Sequence, residues 1–193
     1  MKNIATTALW ISAGAFFYSN SAIAQAVPMA QAAESATATP LSGVRLAGQG
    51  VLRFLGFEIY RARLWVPPGF DADNYGAQPL ALELTYHRDF TAEAIAKRSL
   101  EEMRRVGSFT PQQATRWQQA LQAALPDVKS GDRLLGIHQP GVGAVFKMAG
   151  RVVGEVPDAE FSRLFFGIWL SPQTSEPGLR QELLAATRTA GQP

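Results

Sequence analysis

The alternation of side chains between Phe57 and Val66 is the strongest local pattern in the chain. Side chains repeat there with a period of two, and large residues occupy both faces of the pattern. This predicts a strand that is covered on both sides, although Arg61 and Arg63 place guanidinium groups on one face. A guanidinium group is not left dry without a carboxylate, a carbonyl cluster or water, so these two arginines require polar partners.

A glycine-rich run, Gly48-Gln49-Gly50, precedes this strand and is followed closely by Arg53. Glycine adopts positive φ at little cost, so the run predicts a turn that leads into the strand. The run does not fit a dinucleotide-binding loop, because that pattern has a third glycine where a helix begins, and here a strand follows.

Downstream, the hydrophobic pattern changes several times between the strand period and the helix period. A loop is predicted over 67–79, strands over 80–86, 132–138, 144–148 and 151–156, and helices over 92–106, 111–125, 158–170 and from 177. Short consecutive strands with tight turns favour antiparallel pairing, and the amphipathic helix over 92–106 has one apolar face to lie on a sheet. The expected fold is α+β, with an antiparallel β-sheet covered on one face by helices.

The helix over 158–170 is apolar around almost its whole circumference. Phe161, Phe165 and Trp169 fall on or beside one face, and further large side chains extend the apolar surface. A helix of this composition is either buried in the core or lines a cavity.

The two ends of the chain differ in composition from the rest. Residues 1–24 combine Lys2, an apolar run and a small-residue site ending at Ala24, a pattern typical of a secretory signal peptide. Residues 25–40 contain few large apolar side chains and predict a flexible leader. Residues 41–189 then form one domain, with a frayed tail at 190–193. We therefore expect an exported protein of the periplasm, without stable membrane insertion.

Charge and residue counts exclude several classes of function. The net charge of +2 is close to balance and the basic residues are scattered, so nucleic-acid binding is not expected. The chain has no cysteine, and His87 and His138 lack metal-ligand spacing, so neither a metal nor a cofactor is expected. The sequence has no G-x-S-x-G motif, and Glu101 and Glu102 lie on the solvated arc of their helix.

The run GQGVLRFLGFEIYRARLWV, which begins at Gly48, resembles the cleft-lining region of the chalcone isomerase-like superfamily. The resemblance extends through DFTAEA, GDRLLGIHQPGVG and FFGIWLSPQTSEPGLRQELL, and it is closest to the bacterial secreted branch of that superfamily. It implies an open-faced β-sandwich with a ligand cleft between sheet and helices. By the same resemblance, Arg53 is the position most similar to the arginine of the cleft.

The resemblance also implies that chalcone isomerase activity is absent. The threonine of the enzymes is replaced by Arg61, or by Tyr60 if the register shifts by one residue, and their tyrosine and asparagine by Phe90 and Lys97. Their second threonine corresponds to Gly167. Related non-catalytic members bind fatty acids, which requires an arginine, a hydroxyl such as that of Tyr60 or Tyr86, and an apolar tunnel. The predicted ligand-binding residues are Arg53, Tyr60, Arg61, Tyr86 and Phe90.

Alternatives remain open at this point. Arg61 or Arg63 can instead pair with Glu83 on the next strand, as an ion pair that fixes register. For function, the preferred prediction is binding of a small amphipathic acid without catalysis. The alternatives are an isomerase or intramolecular lyase with an unknown substrate, and a protein-interaction module of the cell envelope. The oligomeric state does not follow from the sequence.

Overall fold

The period-two segment forms a strand over the predicted range, and the other predicted strands and helices also form. The computed structural model describes residues 41–188; the predicted signal peptide, leader and tail lie outside them. The strands are β1 (Arg45–Phe54), β2 (Phe57–Val66), β3 (Leu80–Tyr86), β4 (Arg133–Gln139), β5 (Gly143–Met148) and β6 (Arg151–Val156). The helices are α1 (Ala92–Val106), α2 (Pro111–Ala124), α3 (Ala159–Leu170), α4 (Pro177–Leu183) and α5 (Ala185–Arg188), and a 3-10 helix spans Ala72–Ala77 inside the predicted loop.

The six strands form one antiparallel sheet in the order β1 to β6. Each strand pairs with its neighbours in sequence, because each connection within the sheet returns the chain to the adjacent position: three are tight turns, β2 and β3 are joined by the segment with the 3-10 helix, and β3 and β4 by α1 and α2. The main core lies on the face that carries the helices and contains Leu64, Leu82 and Phe146. A smaller apolar cluster, Trp65 with Ala81 and Ile137, lies on the other face. The α+β prediction is confirmed.

The long helices begin at capping residues that the sequence indicates. The Thr91 hydroxyl accepts the Ala94 amide at 3.1 Å and starts α1. Asp89, two residues before Thr91, accepts the Ser130 amide at 2.9 Å and does not cap the helix. Thr110 and Gln113 form a reciprocal capping box at the start of α2.

The predicted turn at Gly48-Gln49-Gly50 is wrong, because these residues lie inside strand β1. Their φ angles are not positive, and their function is close packing. A Cβ added at Gly48 would clash with the Glu182 carbonyl oxygen and lie 2.6 Å from that of Leu183. The paired glycines therefore allow helix α4 to pack directly on the backbone of an edge strand.

Strand β2 is covered on both sides only in its C-terminal half. Leu64, Trp65 and Val66 are buried, whereas Phe57, at its start, is 56% exposed. The N-terminal half of β2 belongs to the β1–β2 hairpin, where Phe54 and Leu55 are exposed as well as Phe57. The prediction of a strand covered on both sides is therefore wrong for the N-terminal half of β2.

The cross-strand ion pair with Glu83 is confirmed for Arg63. Arg63 is directly opposite Glu83 in the register of β2 and β3, with 3.6 Å between the guanidinium and the carboxylate. Arg133 on β4 reaches the same carboxylate at 2.8 Å. Glu83 thus joins three adjacent strands on the face of the sheet opposite the main core.

Candidate ligand-binding cavity

A cavity of about 420 Å³ lies between the sheet and the helices. This volume is within the range of roughly 300–1,000 Å³ that small-molecule sites occupy. Its walls are mainly apolar side chains from the β1–β2 hairpin, β3, β4, α1 and α3. They include Leu52, Phe54, Ile59, Leu84, Phe90, Ile95, Leu125, Leu134, Phe165, Ile168 and Trp169. The helix over 159–170 therefore fulfils both of its predicted alternatives, since it is buried and also lines a cavity.

Two tyrosine hydroxyl groups supply polar chemistry to the wall formed by the sheet. Tyr60 on β2 and Tyr86 on β3 are directly opposite in register, and their rings meet edge to face at 6.1 Å. The Tyr60 oxygen accepts the indole N–H of Trp169 at 2.9 Å. The hydroxyl proton of Tyr60 is not used in this bond and can be donated to another acceptor. Within residues 41–188, the Tyr86 hydroxyl has no hydrogen-bond partner.

Both tyrosines are neutral donors. Burial in the apolar wall raises the pKa of Tyr60 well above its ordinary value, and the hydrogen bond from Trp169 offsets this only in part. Burial alone raises the pKa of Tyr86. At physiological pH each phenol keeps its proton, so each presents an O–H donor toward an acceptor in the cavity.

Polar and charged side chains from α1 and the 175–176 loop also line the cavity, and we call Arg98, Glu102, Ser175 and Glu176 the rim. Arg98 contacts the Glu102 carboxylate at 2.6 Å, and the Ser175 hydroxyl donates to the same carboxylate at 2.7 Å. Glu102 is 6% exposed, although it belongs to the charged arc of α1. Sequence periodicity does not indicate these residues, because it assigns the charged arc of α1 to solvent, whereas Ser175 of the 175–176 loop contacts Glu102 on that arc.

The predicted ligand-binding residues separate into two groups. Tyr60, Tyr86 and Phe90 line the cavity together, and Phe90 packs against Tyr86 with ring centroids 5.9 Å apart. Their binding role stays a prediction. The two arginines lie elsewhere.

Arg53 and Arg61 do not form the floor of the cavity, and the expected placement is corrected here. Arg53 lies between Leu52 and Phe54, which both line the cavity, so alternation along β1 turns it to the other face, where it donates to Glu58 at 2.6 Å and is 60% exposed. Arg61 alternates with Tyr60 along β2, so it points to the opposite face of the sheet. The alternative with Tyr60 in the cleft is the one that the structure adopts.

The other positions that the resemblance aligns with catalytic residues of the chalcone isomerases also lack the hydroxyl or amide groups of those enzymes. Lys97 is exposed on α1 and does not line the cavity. Gly167 lies where α3 packs against Tyr75 and Val106, with no room for a side chain. Of these positions, only Tyr60 brings a hydroxyl to the cavity.

A buried histidine and serine pair lies apart from the cavity. The His138 ring nitrogens contact the Ser162 hydroxyl at 2.6 Å and the Gly76 carbonyl at 3.0 Å. Burial lowers the pKa of His138, which favours the neutral ring. Among the residues that the structure describes, no carboxylate contacts the His138 ring to complete a triad, and both side chains are almost fully buried. The pair joins β4, α3 and the 3-10 helix. No cluster of potential metal ligands occurs within 41–188.

The fold and the cavity define an α+β protein with an open antiparallel sheet and an apolar ligand cavity beneath its helices. A family model described as chalcone isomerase-like matches residues 25–185, so the chain belongs to the chalcone isomerase-like family. Membership of its bacterial secreted branch stays a prediction.

Two similar proteins extend this comparison. A protein of Haemophilus influenzae, described as an uncharacterized protein, is 26% identical over 153 residues, covering 79% of this chain and 74% of that protein. The crystal structure of an Arabidopsis thaliana fatty-acid binding protein superimposes with a TM-score of 0.60 at 12% identity, covering 78% of this chain and 91% of that one. The second similarity establishes the shared fold.

Proposed function

We propose that this protein binds one small amphipathic acid of the fatty-acid class in the cavity, without catalysis. The observation that carries the proposal is an apolar cavity of about 420 Å³ whose polar groups on the sheet are two neutral donors, Tyr60 and Tyr86. An alkyl chain matches the walls, and a carboxyl group supplies the acceptors that both hydroxyls lack.

The tyrosines suit the acid group better than the rim does. At the rim, Arg98 is already paired with Glu102, and Glu176 adds a second carboxylate to the same part of the cavity wall. A ligand carboxylate there would meet like charge. Beside the tyrosines it would accept two O–H donors, and hydrogen bonds to a charged acceptor are stronger than neutral ones.

Two comparisons support this class of ligand. The structural neighbour from Arabidopsis thaliana is named a fatty-acid binding protein and has the same fold. The family model also matches most of the chain, although the hydroxyl and amide positions of the enzymes are largely replaced here. Both points favour binding over isomerisation.

Tyr86→Phe tests the proposal with little disturbance of the fold. The hydroxyl has no partner within the described residues, so its removal should leave the melting temperature of the free protein unchanged. Loss of a hydrogen bond to a charged group costs about 1.5–3 kcal/mol, so palmitate should bind roughly 10- to 150-fold more weakly. Isothermal titration calorimetry with palmitate measures this affinity.

Arg53→Gln and Arg61→Gln are the matched controls, since both arginines are exposed and lie outside the cavity. Each should bind palmitate like the wild type. Wild type that binds no fatty acid would refute the proposal, and turnover of an enone substrate would favour the isomerase alternative. An affinity that depends on Arg53 but not on Tyr86 would place the acid group at the hairpin.

We further propose that the protein is exported to the periplasm. The support is the sequence of residues 1–24, which lies outside the described residues. The exported protein should begin at Gln25, as measured by intact-mass spectrometry of the periplasmic fraction. A product that retains Met1 would contradict this proposal. Within residues 41–188, no helix combines the length and the apolar character needed to cross a membrane.

A further inference from the structure

The tip of the β1–β2 hairpin exposes three large apolar side chains in one short segment. Phe54 is 63% exposed, Leu55 is 80% exposed and Phe57 is 56% exposed, with Gly56 between them. We call residues 54–57 the hairpin tip. We propose that the hairpin tip docks on the surface of an anionic lipid bilayer and opens the cavity toward it.

The turn itself does not explain Leu55. Leu55 and Gly56 both have positive φ, at 50° and 81°, as in a two-residue type I′ turn. Asn or Asp followed by Gly suits that turn best, and a bulky side chain is unfavourable at positive φ. Leu55 therefore combines an unfavourable backbone conformation with an exposed apolar side chain, and this side chain does not pack in the core.

The hairpin tip is continuous with the cavity. Phe54 is exposed and also lines the cavity, and Leu52 and Ile59 of the same hairpin line it as well. A surface that contacts the tip therefore contacts Phe54, a side chain of the cavity wall. An amphipathic molecule would pass between the two without crossing open water.

Guanidinium groups flank the apolar tip. Exposed Arg88 stacks over the Phe57 ring at 4.4 Å, and Arg53 is 60% exposed beside Glu58. His87 also contacts Glu58, at 3.0 Å, so this carboxylate is shared by Arg53 and His87, and the Arg88 guanidinium lies over the Phe57 ring apart from it. Apolar side chains next to arginines match the boundary between acyl chains and anionic headgroups.

A lipid surface fits the tip better than a protein partner does. A specific protein interface buries about 800 Å² on each partner, far more than the three exposed side chains of the hairpin tip provide. A bilayer interface needs only a few inserted side chains with basic neighbours. The docking itself is independent of the ligand, whereas transfer of an amphipathic acid from the bilayer rests on the proposed function.

Co-sedimentation with lipid vesicles tests the docking. Wild type should bind vesicles of mixed phosphatidylcholine and phosphatidylglycerol, and more weakly vesicles of phosphatidylcholine alone. Leu55→Asn places a residue suited to positive φ at the turn, so the fold should hold while binding falls about ten-fold. Arg88→Gln should lower binding to the anionic vesicles about five-fold, and high salt should reduce the difference.

Val142→Asn is the matched control. Val142 is 60% exposed in the β4–β5 turn, at the opposite end of the sheet from the hairpin tip. The Val142→Asn variant should bind vesicles like the wild type. Palmitate binding by Leu55→Asn should also be unchanged, because Leu55 does not line the cavity.

Three results would overturn the inference. They are wild type that ignores anionic vesicles, Leu55→Asn that sediments like wild type, and a protein dimer that Leu55→Asn dissociates while no vesicle binding is seen. Vesicle binding that depends on Leu55 in a protein that binds no fatty acid would leave the docking intact and refute only the proposed ligand.

Discussion

Phe161→Ala is expected to lower the free energy of unfolding by about 3–5 kcal/mol, and Phe165→Ala by less. The two rings stack at 5.4 Å on the same helix, α3, and have the same chemistry. Phe161 is fully buried, packs against Trp117 and does not line the cavity. Phe165 is also buried but lines the cavity, so part of its surface already faces empty space.

The difference between these two variants measures the cavity in solution. Removal of the Phe161 ring leaves a new void among packed neighbours. Removal of the Phe165 ring instead enlarges the existing cavity, and Phe165 also lines a second, smaller cavity of about 20 Å³. Urea denaturation of both variants gives the comparison, with Phe161→Leu and Phe165→Leu as milder controls. Equal losses would mean that the cavity is closed in solution. A loss below about 1 kcal/mol for Phe165→Ala would mean that α3 is misplaced.

The sequence predicts the elements of this fold well where a single period runs without interruption. Strand β2 has its predicted limits, and helix α1 ends at Val106 as predicted, because alternation and amphipathicity directly reflect which face is buried. The capping residues of α1 and α2 add fixed starting points. These features are local, and local chemistry decides them.

The glycines of β1 show where this local logic fails. Gly48-Gln49-Gly50 has the composition of a turn, yet it forms part of a ten-residue strand. The reason is α4, which lies more than 120 residues later in the chain: its backbone approaches Gly48, and the side chains of Leu179 and Glu182 approach Gly50. Tertiary contact overrides local preference here, and no pattern near Gly48 indicates it.

The candidate site is only partly predictable for a similar reason. A shift of one residue exchanges the two faces of a strand, and in β2 it decides whether Tyr60 or Arg61 faces the cavity. The resemblance to the family left both alternatives, and strand pairing selects Tyr60. Arg98 and Glu102 belong to the rim because the 175–176 loop covers the charged arc of α1, a contact that helical periodicity does not contain.

Gly48→Ala is expected to destabilise the protein by about 3 kcal/mol, near the upper end of the usual cost of overpacking. The new methyl group would meet the carbonyl oxygens of Glu182 and Leu183, and backbone atoms cannot rotate away as a side chain can. Either β1 or α4 must shift, and α4 is the shorter element. Its amides should therefore exchange faster with solvent, which hydrogen exchange with mass spectrometry measures.

Gly178→Ala is the matched control, because Gly178 lies in α4 itself, with no atom within 4 Å of an added Cβ and no positive φ. Alanine favours a helix more than glycine does, so this variant should be stabilised by about 0.5–1 kcal/mol. Opposite signs for the two variants would show that α4 packs on the β1 glycines. If Gly48→Ala matched the wild type in stability and in α4 exchange, the close approach would be absent, and the paired glycines would need another explanation.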